Sequence, residues 1–356
     1  MRARLTMPPH PQQGGPPGDS PQGDPVQAAL DAFLPAFPAG PKAVERMTLD
    51  DACGRVAAED LAAATDSPPF ARVIVEGYLV RAEDAVSVSD TNPVSFTLAG
   101  AIRPGDVAPK SVAAKTAWEV TTGSAVPTGK LAVIRQWDAT RKDTTVTITR
   151  PVQESANIEA QGCDVKRGAV VVPKGARLGP DEICALAAQG LDAIPVATPP
   201  IVGLFGSGNE VIPHTARLTP GAIWDCNIPA LSAFVRQEGG IPKPYGVMRD
   251  DFDAFLRALK AALPHCGMIV IAGGTAVGGR DFVKDLVAAL GPPGVLVNGV
   301  PMRSGKPLIM GVAGQVPIVC VAGHPPEALR GFRLFGIPAL ARLLGQKLLA
   351  AERPAS

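Results

Sequence analysis

Between Ile269 and Asp281 the chain reads IVIAGGTAVGGRD, an apolar run that opens into two glycine pairs and closes on an acid. Gly273, Gly274 and Gly278 carry no side chain, so a ligand can come close to the backbone there. Where a strand runs into a helix, bare N–H groups beside the positive end of the helix dipole form an anion cradle. For one glycine pair, a tight turn needing positive φ is the simpler explanation. Further glycines after the apolar runs at 201–205 and 316–322 repeat the pattern and shift the balance toward a phosphate site. The motif is not a P-loop, because no G-K-S/T follows, and it is not a G-x-G-x-x-G fingerprint. Acids stand at the same places: Glu210, Asp225, Asp250, Asp251 and Asp281. Capping alone accounts for an aspartate near a helix start. Glu210 and Asp281 are the stronger candidates, because glycines beside them open space for a ligand. Lys306 or Arg303 can neutralise phosphate charge, with a solvated loop as the plain alternative. His324 reads as a turn residue or a donor to a ligand rather than a metal ligand.

The elements that must carry these residues alternate strand and helix from Ile201 onward. IVGLFGSG is a buried strand ending in glycines. Asn227 can cap a helix whose Ile228, Leu231, Phe234 and Val235 share one face. Asp250 or Asp251 can cap the next, with Phe252, Phe255, Leu256, Leu259 and Leu263 toward the core. MIVIAGG is a strand, Asp281 can cap a helix presenting Val283, Leu286, Val287 and Leu290, and PIVCVAGHPPEALRGF is strand, turn and helix. This pattern predicts a doubly wound α/β domain, which binds ligands beyond the carboxyl ends of its strands.

Upstream the character differs. Residues 1–24, rich in Pro, Gly and Gln, read as a disordered tail. Helical spacing covers Val26 to Leu34 and predicts a second helix over 49–63. Residues 65–150, with alternating runs such as VSFTLAG and TTVTITR, predict a small β-domain. Within it, 130–150 reads as two strands joined by a polar turn. Residues 158–198 give a strand, a turn, a helix from near Pro180 and a strand, and Pro199-Pro200 marks a boundary. The expected layout is therefore a linker domain from 25–64 and 151–198, a β-domain (65–150) inserted into it, an α/β domain over 199–346 and a tail at 347–356.

The 356 residues include 34 basic and 33 acidic ones, for a formal net charge of +1. That balance offers no footprint for nucleic acid or an anionic membrane, so any anion binding must be local. No C-x-x-C pair occurs among the six cysteines, which argues against a disulfide framework and favours the cytoplasm. The histidines show no zinc spacing. No apolar h-region follows the first arginines, and no apolar run approaches the ~20 residues that span a bilayer.

Taken in order, GSGNEV, WDCN, AGGTAVGGRDF, RSGKP and AGHPPEA resemble the active-site segments of the molybdopterin molybdenumtransferases, the MoeA and gephyrin E-domain family. PPFARVIVEGYLVR resembles the segment around M-D-G-Y-A, TGSAVPTGKLAVI resembles T-G-A-P-V-P-x-G, and SANIEAQGCDV resembles N-I-R-x-x-G-E-D. The likeness runs over roughly residues 25–346 and rests on the order of many segments. It implies an elongated homodimer whose site lies between the α/β domain of one subunit and the β-domain of the other. The implied reaction inserts molybdate at the dithiolene sulfurs of adenylated molybdopterin and releases AMP with magnesium present. Implied partners are a molybdopterin adenylyltransferase and a recipient molybdoenzyme.

Position by position, Glu210 matches the glutamate of T-G-D-E, with Asn209 in place of its aspartate. Asp225 and Asn227 match the ends of D-S-N, with Cys226 between them. Gly273, Gly274, Gly278 and Asp281 match S-G-G-x-S-x-G-x-x-D, with Ala272 and Ala276 at its serines. Lys306 and Pro307 match the end of K-P-G-K-P, with Arg303 standing for its first lysine, and Gly323 and Pro325 match P-G-N-P, with Ala322 and His324 substituted. Glu76 takes an aspartate position and Val73 that of a serine. Glu159 replaces an arginine and Cys163 a glutamate, while Asp164 remains. Leu131 and Trp137 replace acidic residues. The chain also ends without the small C-terminal β-domain that family members usually carry.

The resemblance thus assigns chemistry to Glu210, Asp281, Asp225, Glu76 and Asp164, and gives magnesium to Asp281 and Glu210, whose oxygens suit a hard cation. Substrate binding falls to Gly273, Gly274, Gly278, Asn227, Arg303, Lys306, Gly323, His324 and Pro325. Retained acids favour the enzyme. The lost serines and altered β-domain favour the alternative, a molybdopterin-binding carrier, sensor or partner of a fuller paralogue.

Overall fold

The computed structural model describes residues 24–274, 282–302 and 307–346. The chain divides into two compact units, one of Met1–Pro38, Ile201–Leu340 and Leu349–Ser356, the other of Ala39–Pro200 and Ala341–Leu348. Pro200 ends the longer segment of the second unit. The boundary at the N-terminus differs: helix Pro25–Phe33 belongs with the α/β unit, not with the linker segment. Val26, Ala29 and Phe33 are its buried face, and it contacts strand Pro293–Asn298.

The α/β unit is built on a six-stranded sheet in the order Ile241–Met248, Ile201–Ser207, Met268–Ala272, Val316–Val321, Ile309–Ala313, Pro293–Asn298. The first three pairings are parallel and the last two antiparallel. Met268–Ala272 is buried at every position, as expected of a strand covered on both faces. On one face Phe255 and Leu259 of helix Phe252–Ala262, with Val283, Leu286 and Val287 of helix Phe282–Ala289, pack on Phe205, Ile269 and Ile271. Helix Asn227–Gln237 buries Ile228, Leu231 and Val235, and its Phe234 ring lies 6.0 Å from Phe332 after helix Pro325–Gly331. These are the elements expected from the alternating pattern, with an antiparallel pair added along one side.

The other unit contains, among the described residues, a six-stranded sheet and three two-stranded ones. The six-stranded sheet runs in the order Leu131–Arg135, Gly77–Arg81, Thr116–Val120, Val94–Ile102, Thr145–Ile148, Ala139–Lys142. Its alternate residues enter two separate apolar clusters, Tyr78 and Val80 in one and Leu79 in the other. Residues 131–148 form three strands rather than two. Ala139–Lys142 and Thr145–Ile148 make a hairpin that turns at Asp143 (φ 51°), while Leu131–Arg135 pairs with Gly77–Arg81.

Elsewhere in this unit, strand Val44–Thr48 pairs with Ala193–Ala197 and Leu61–Ala62 with Val170–Val172, over a core that includes Ala52, Leu178, Leu186 and Val196. The helix expected over 49–63 is absent. Gly54 takes φ +81° and donates its N–H to the Leu178 carbonyl, while Val56 and Ala57 bridge to Arg177 and Val196. Cross-chain pairing has overridden a helical spacing that propensity alone supports only weakly. Among the described residues no helix is long and apolar enough to cross a membrane.

Candidate functional site

Strand Ile201–Ser207 delivers its last side chain, Ser207, to the carboxyl edge of the sheet, where it is 7% exposed. The chain then turns at Gly208 (φ +145°). A Cβ there would stand 2.8 Å from Val211 Cγ2 and 3.0 Å from a Glu210 carboxylate oxygen, so glycine is what lets Glu210 fold back over the turn. A short parallel pairing of Val211–Ile212 with Ile223–Trp224 follows. Ile223 N–H donates to the Glu210 carbonyl and Asp225 N–H to the Ile212 carbonyl, each at 2.8 Å, so this small ladder fixes both acids.

Asp225 is 7% exposed. Its Oδ1 accepts the N–H groups of Asn227 at 3.0 Å and Ile228 at 3.1 Å. Asp225 therefore caps helix Asn227–Gln237, and Asn227 does not. Asn227 instead donates Nδ2 to the Gly323 carbonyl at 2.7 Å, and its buried Oδ1 has no partner among the described residues. His324, at the N-cap of helix Pro325–Gly331, pairs through Nδ1 with the Glu327 carboxylate.

These groups surround a cavity of about 320 Å³ at the carboxyl ends of the parallel strands. Ser207, Glu210, Asp225, Asn227, Gly323, His324 and Pro325 line it, with Gly206 and Ala272 as small residues in its wall. The structure thus brings together Glu210, Asp225, Asn227, Gly323, His324 and Pro325 out of the residues singled out by sequence. One carboxylate is exposed and the other is mostly buried, both lining the cavity, with oxygen donors of the kind a hard cation prefers. Among the described residues no three His, Cys, Asp or Glu side chains form a metal-holding group. Gly278, Asp281, Arg303 and Lys306 lie outside the described residues.

Gly273 and Gly274 have φ +96° and +74°. A Cβ on Gly273 would come within 2.7 Å of the Ser207 carbonyl oxygen; one on Gly274 would meet Ser207 Oγ and Val283 Cγ2 at 2.8 Å. The turn itself therefore requires both glycines. The Gly273 N–H is committed to the Val321 carbonyl at 3.0 Å.

Glu76 and Asp164 stand in the other unit, both exposed. Glu76 accepts the Thr122 hydroxyl at 3.2 Å. Asp164 lies 3.9 Å from Arg72, whose Nε is bonded to Glu159 at 2.7 Å, a carboxylate that raises the guanidinium's pKa. Glu159, at an arginine position of the family motif, is thus matched by a cation directly across the strand pair. Sequence reasoning missed Ser207 and gave Asp250 only a capping role. The available signal was a hydroxyl closing a buried apolar strand, and two adjacent acids where a helix needs one cap.

The chain matches the model of the MoeA N-terminal region, domains I and II, over residues 24–190, and that of a probable molybdopterin binding domain over 204–342. It is 31% identical to a molybdopterin molybdenumtransferase of Bacillus subtilis over 300 residues, 83% of this chain and 70% of the relative. It is 29% identical to the Staphylococcus epidermidis protein of that name over 301 residues, 85% of this chain and 72% of the relative. A molybdopterin biosynthesis MoeA protein from Pyrococcus horikoshii superposes with a TM-score of 0.77 at 32% identity, covering 91% of this chain and 81% of the other. With the cavity placed at the strand ends of the second matched region, the chain belongs to the MoeA family of molybdopterin molybdenumtransferases and has a role in molybdenum cofactor biosynthesis.

Proposed function

We propose that this chain inserts molybdenum from molybdate into adenylated molybdopterin, cleaving the phosphoanhydride and releasing AMP. The observation that carries this reading is the cavity at the carboxyl ends of the parallel strands, with Glu210 and Asp225 among its lining. Such crevices are where open α/β sheets bind ligands. Relatives named molybdopterin molybdenumtransferase supply the reaction class.

In this reading Glu210 and Asp281 would hold magnesium, which would neutralise phosphate charge on the substrate. Asp225 presents negative charge while its Oδ1 secures the helix. Asn227, Gly323, His324 and Pro325 orient the ligand, and Arg303 and Lys306 offset phosphate charge. Glu76 and Asp164 contribute from the other unit's sequence motifs. The family motif gives Gly273, Gly274 and Gly278 to substrate binding. The protein works in the cytoplasm as a homodimer, takes its substrate from a molybdopterin adenylyltransferase and passes the product to a recipient molybdoenzyme.

A second reading keeps the ligand and omits the chemistry. It is favoured by Ala272, which lines the cavity where the family motif has a serine. Incubation of the purified protein with adenylated molybdopterin, molybdate and magnesium separates the two readings. AMP release together with metal incorporation supports the enzyme; tight molybdopterin binding with neither supports the carrier.

A further inference from the structure

Asp250 and Asp251 are adjacent and do different work. Asp251 accepts the Ala254 N–H at 2.9 Å and caps helix Phe252–Ala262. Asp250 faces the carboxyl end of the neighbouring strand. Its Oδ1 accepts the Ser207 hydroxyl at 3.0 Å, its Oδ2 accepts the Asn209 amide at 3.2 Å, and its own N–H donates to Asn209 Oδ1 at 3.3 Å. Gly208 N–H adds a bond to the Met248 carbonyl, also at 3.3 Å. The turn at 207–209 is therefore held on three consecutive residues, by one aspartate and the strand end that precedes it. Glu210 comes next, its carboxylate lying close over Gly208. Ser207, whose proton is committed to Asp250, faces the cavity, while Asp250 is not among the residues that line it.

We propose that Asp250 is a positioning residue, which through Ser207 and Asn209 sets the 207–209 turn and so aims the Glu210 carboxylate at the cavity. The proposal rests on the reading of Glu210 as a group that acts on the ligand. Acceptor identity matters more than shape at this position. In Asp250→Asn the carboxamide can still accept from Ser207, but its NH₂ would meet the Asn209 NH₂, donor against donor. Adding Asn209→Asp restores a donor–acceptor pair with the roles exchanged.

The test uses the full chain and reads kcat for molybdenum insertion at saturating adenylated molybdopterin, below each variant's melting range. Asp250→Asn should lower kcat at least about tenfold, since small misplacements of a reacting group cost that much or more. The added Asn209→Asp should recover most of the loss. In a Glu210→Gln background, Asp250→Asn should cost nothing further, because its effect passes through that carboxylate. Asp251→Ala is the structural control: it loses a cap, melts earlier and keeps its kcat. The proposal is overturned if Asp250→Asn turns over at the parent rate, or if it costs the same factor with and without the Glu210 carboxylate. Glu210→Gln alone reports on the role of Glu210. If that variant is fast while Asp250→Asn is slow, Asp250 acts by another route and the positioning role falls.

Discussion

The Asn227 side chain donates to the Gly323 carbonyl across 2.7 Å, tying the start of helix Asn227–Gln237 to the turn after strand Val316–Val321. This bond fixes which end of the amide is which, since only Nδ2 can meet a carbonyl oxygen. Asn227→Asp would set a carboxylate against that carbonyl. The expected result is a loss of about 0.5–1.5 kcal/mol of stability, the scale for one ordinary hydrogen bond, because the Gly323 acceptor is exposed and water can replace the lost donor. Weaker molybdopterin binding should accompany it, because both sides of the cavity lose their brace. Urea unfolding and ligand titration check the two effects. An unchanged unfolding midpoint would mean the bond contributes nothing.

Asp225 combines a cap with a candidate catalytic charge, and the two separate by substitution. Asparagine caps as well as aspartate does, whereas alanine in place of either costs about 1 kcal/mol. Asp225→Asn should therefore unfold near the parent midpoint and lose most AMP release; Asp225→Ala should lose both. If the asparagine variant releases AMP at the parent rate, Asp225 serves the helix alone.

Much of this site could be read in the sequence because its logic is local. Strands of unbroken apolar residues, glycines at their ends and acids just beyond announce an open sheet with a ligand edge. That carried Glu210, Asp225, Asn227 and Gly323 to one cavity. Partner assignments were less legible, because they are set across the chain. Nothing near Asp250 in sequence indicates that its carboxylate belongs to Ser207 and Asn209, more than forty positions earlier. The helix expected over 49–63 failed for the same reason, as its apolar spacing serves bridges to residues 177 and 196.

Within the β-sheet unit, Glu119 is clamped by Arg103 at 2.8 Å and Arg141 at 2.7 Å. The hydrogen bond from Arg103 is the largest influence, and with the bond from Arg141 and the charges of both arginines it outweighs burial and holds the carboxyl below the usual glutamate range. A folded-state pKa that is depressed contributes stability above the unfolded value, roughly 4.3, and loses it as pH falls through the folded value. Glu119→Gln should therefore melt below the parent at neutral pH, with the gap closing as the solution becomes acidic. Melting curves of the two proteins from neutral to acid pH test this. A gap that stays constant across the range would assign the loss to packing.

Gly274 is the sharpest case of a residue with two explanations. At φ +74° a side chain is strained, and a Cβ would press on Ser207 Oγ and Val283 Cγ2 at 2.8 Å. Gly274→Ala should destabilise the chain by more than about 1 kcal/mol, the scale at which alanine in an incompatible backbone departs from glycine. A valine variant would suffer more, so its loss of ligand binding says nothing by itself about phosphate. The informative comparison is binding by the alanine variant under conditions where it remains folded. Loss of molybdopterin affinity well beyond the loss of folded protein would place the ligand against this turn. Affinity equal to the parent's in the folded fraction would leave Gly274 to the turn and to Ser207 alone.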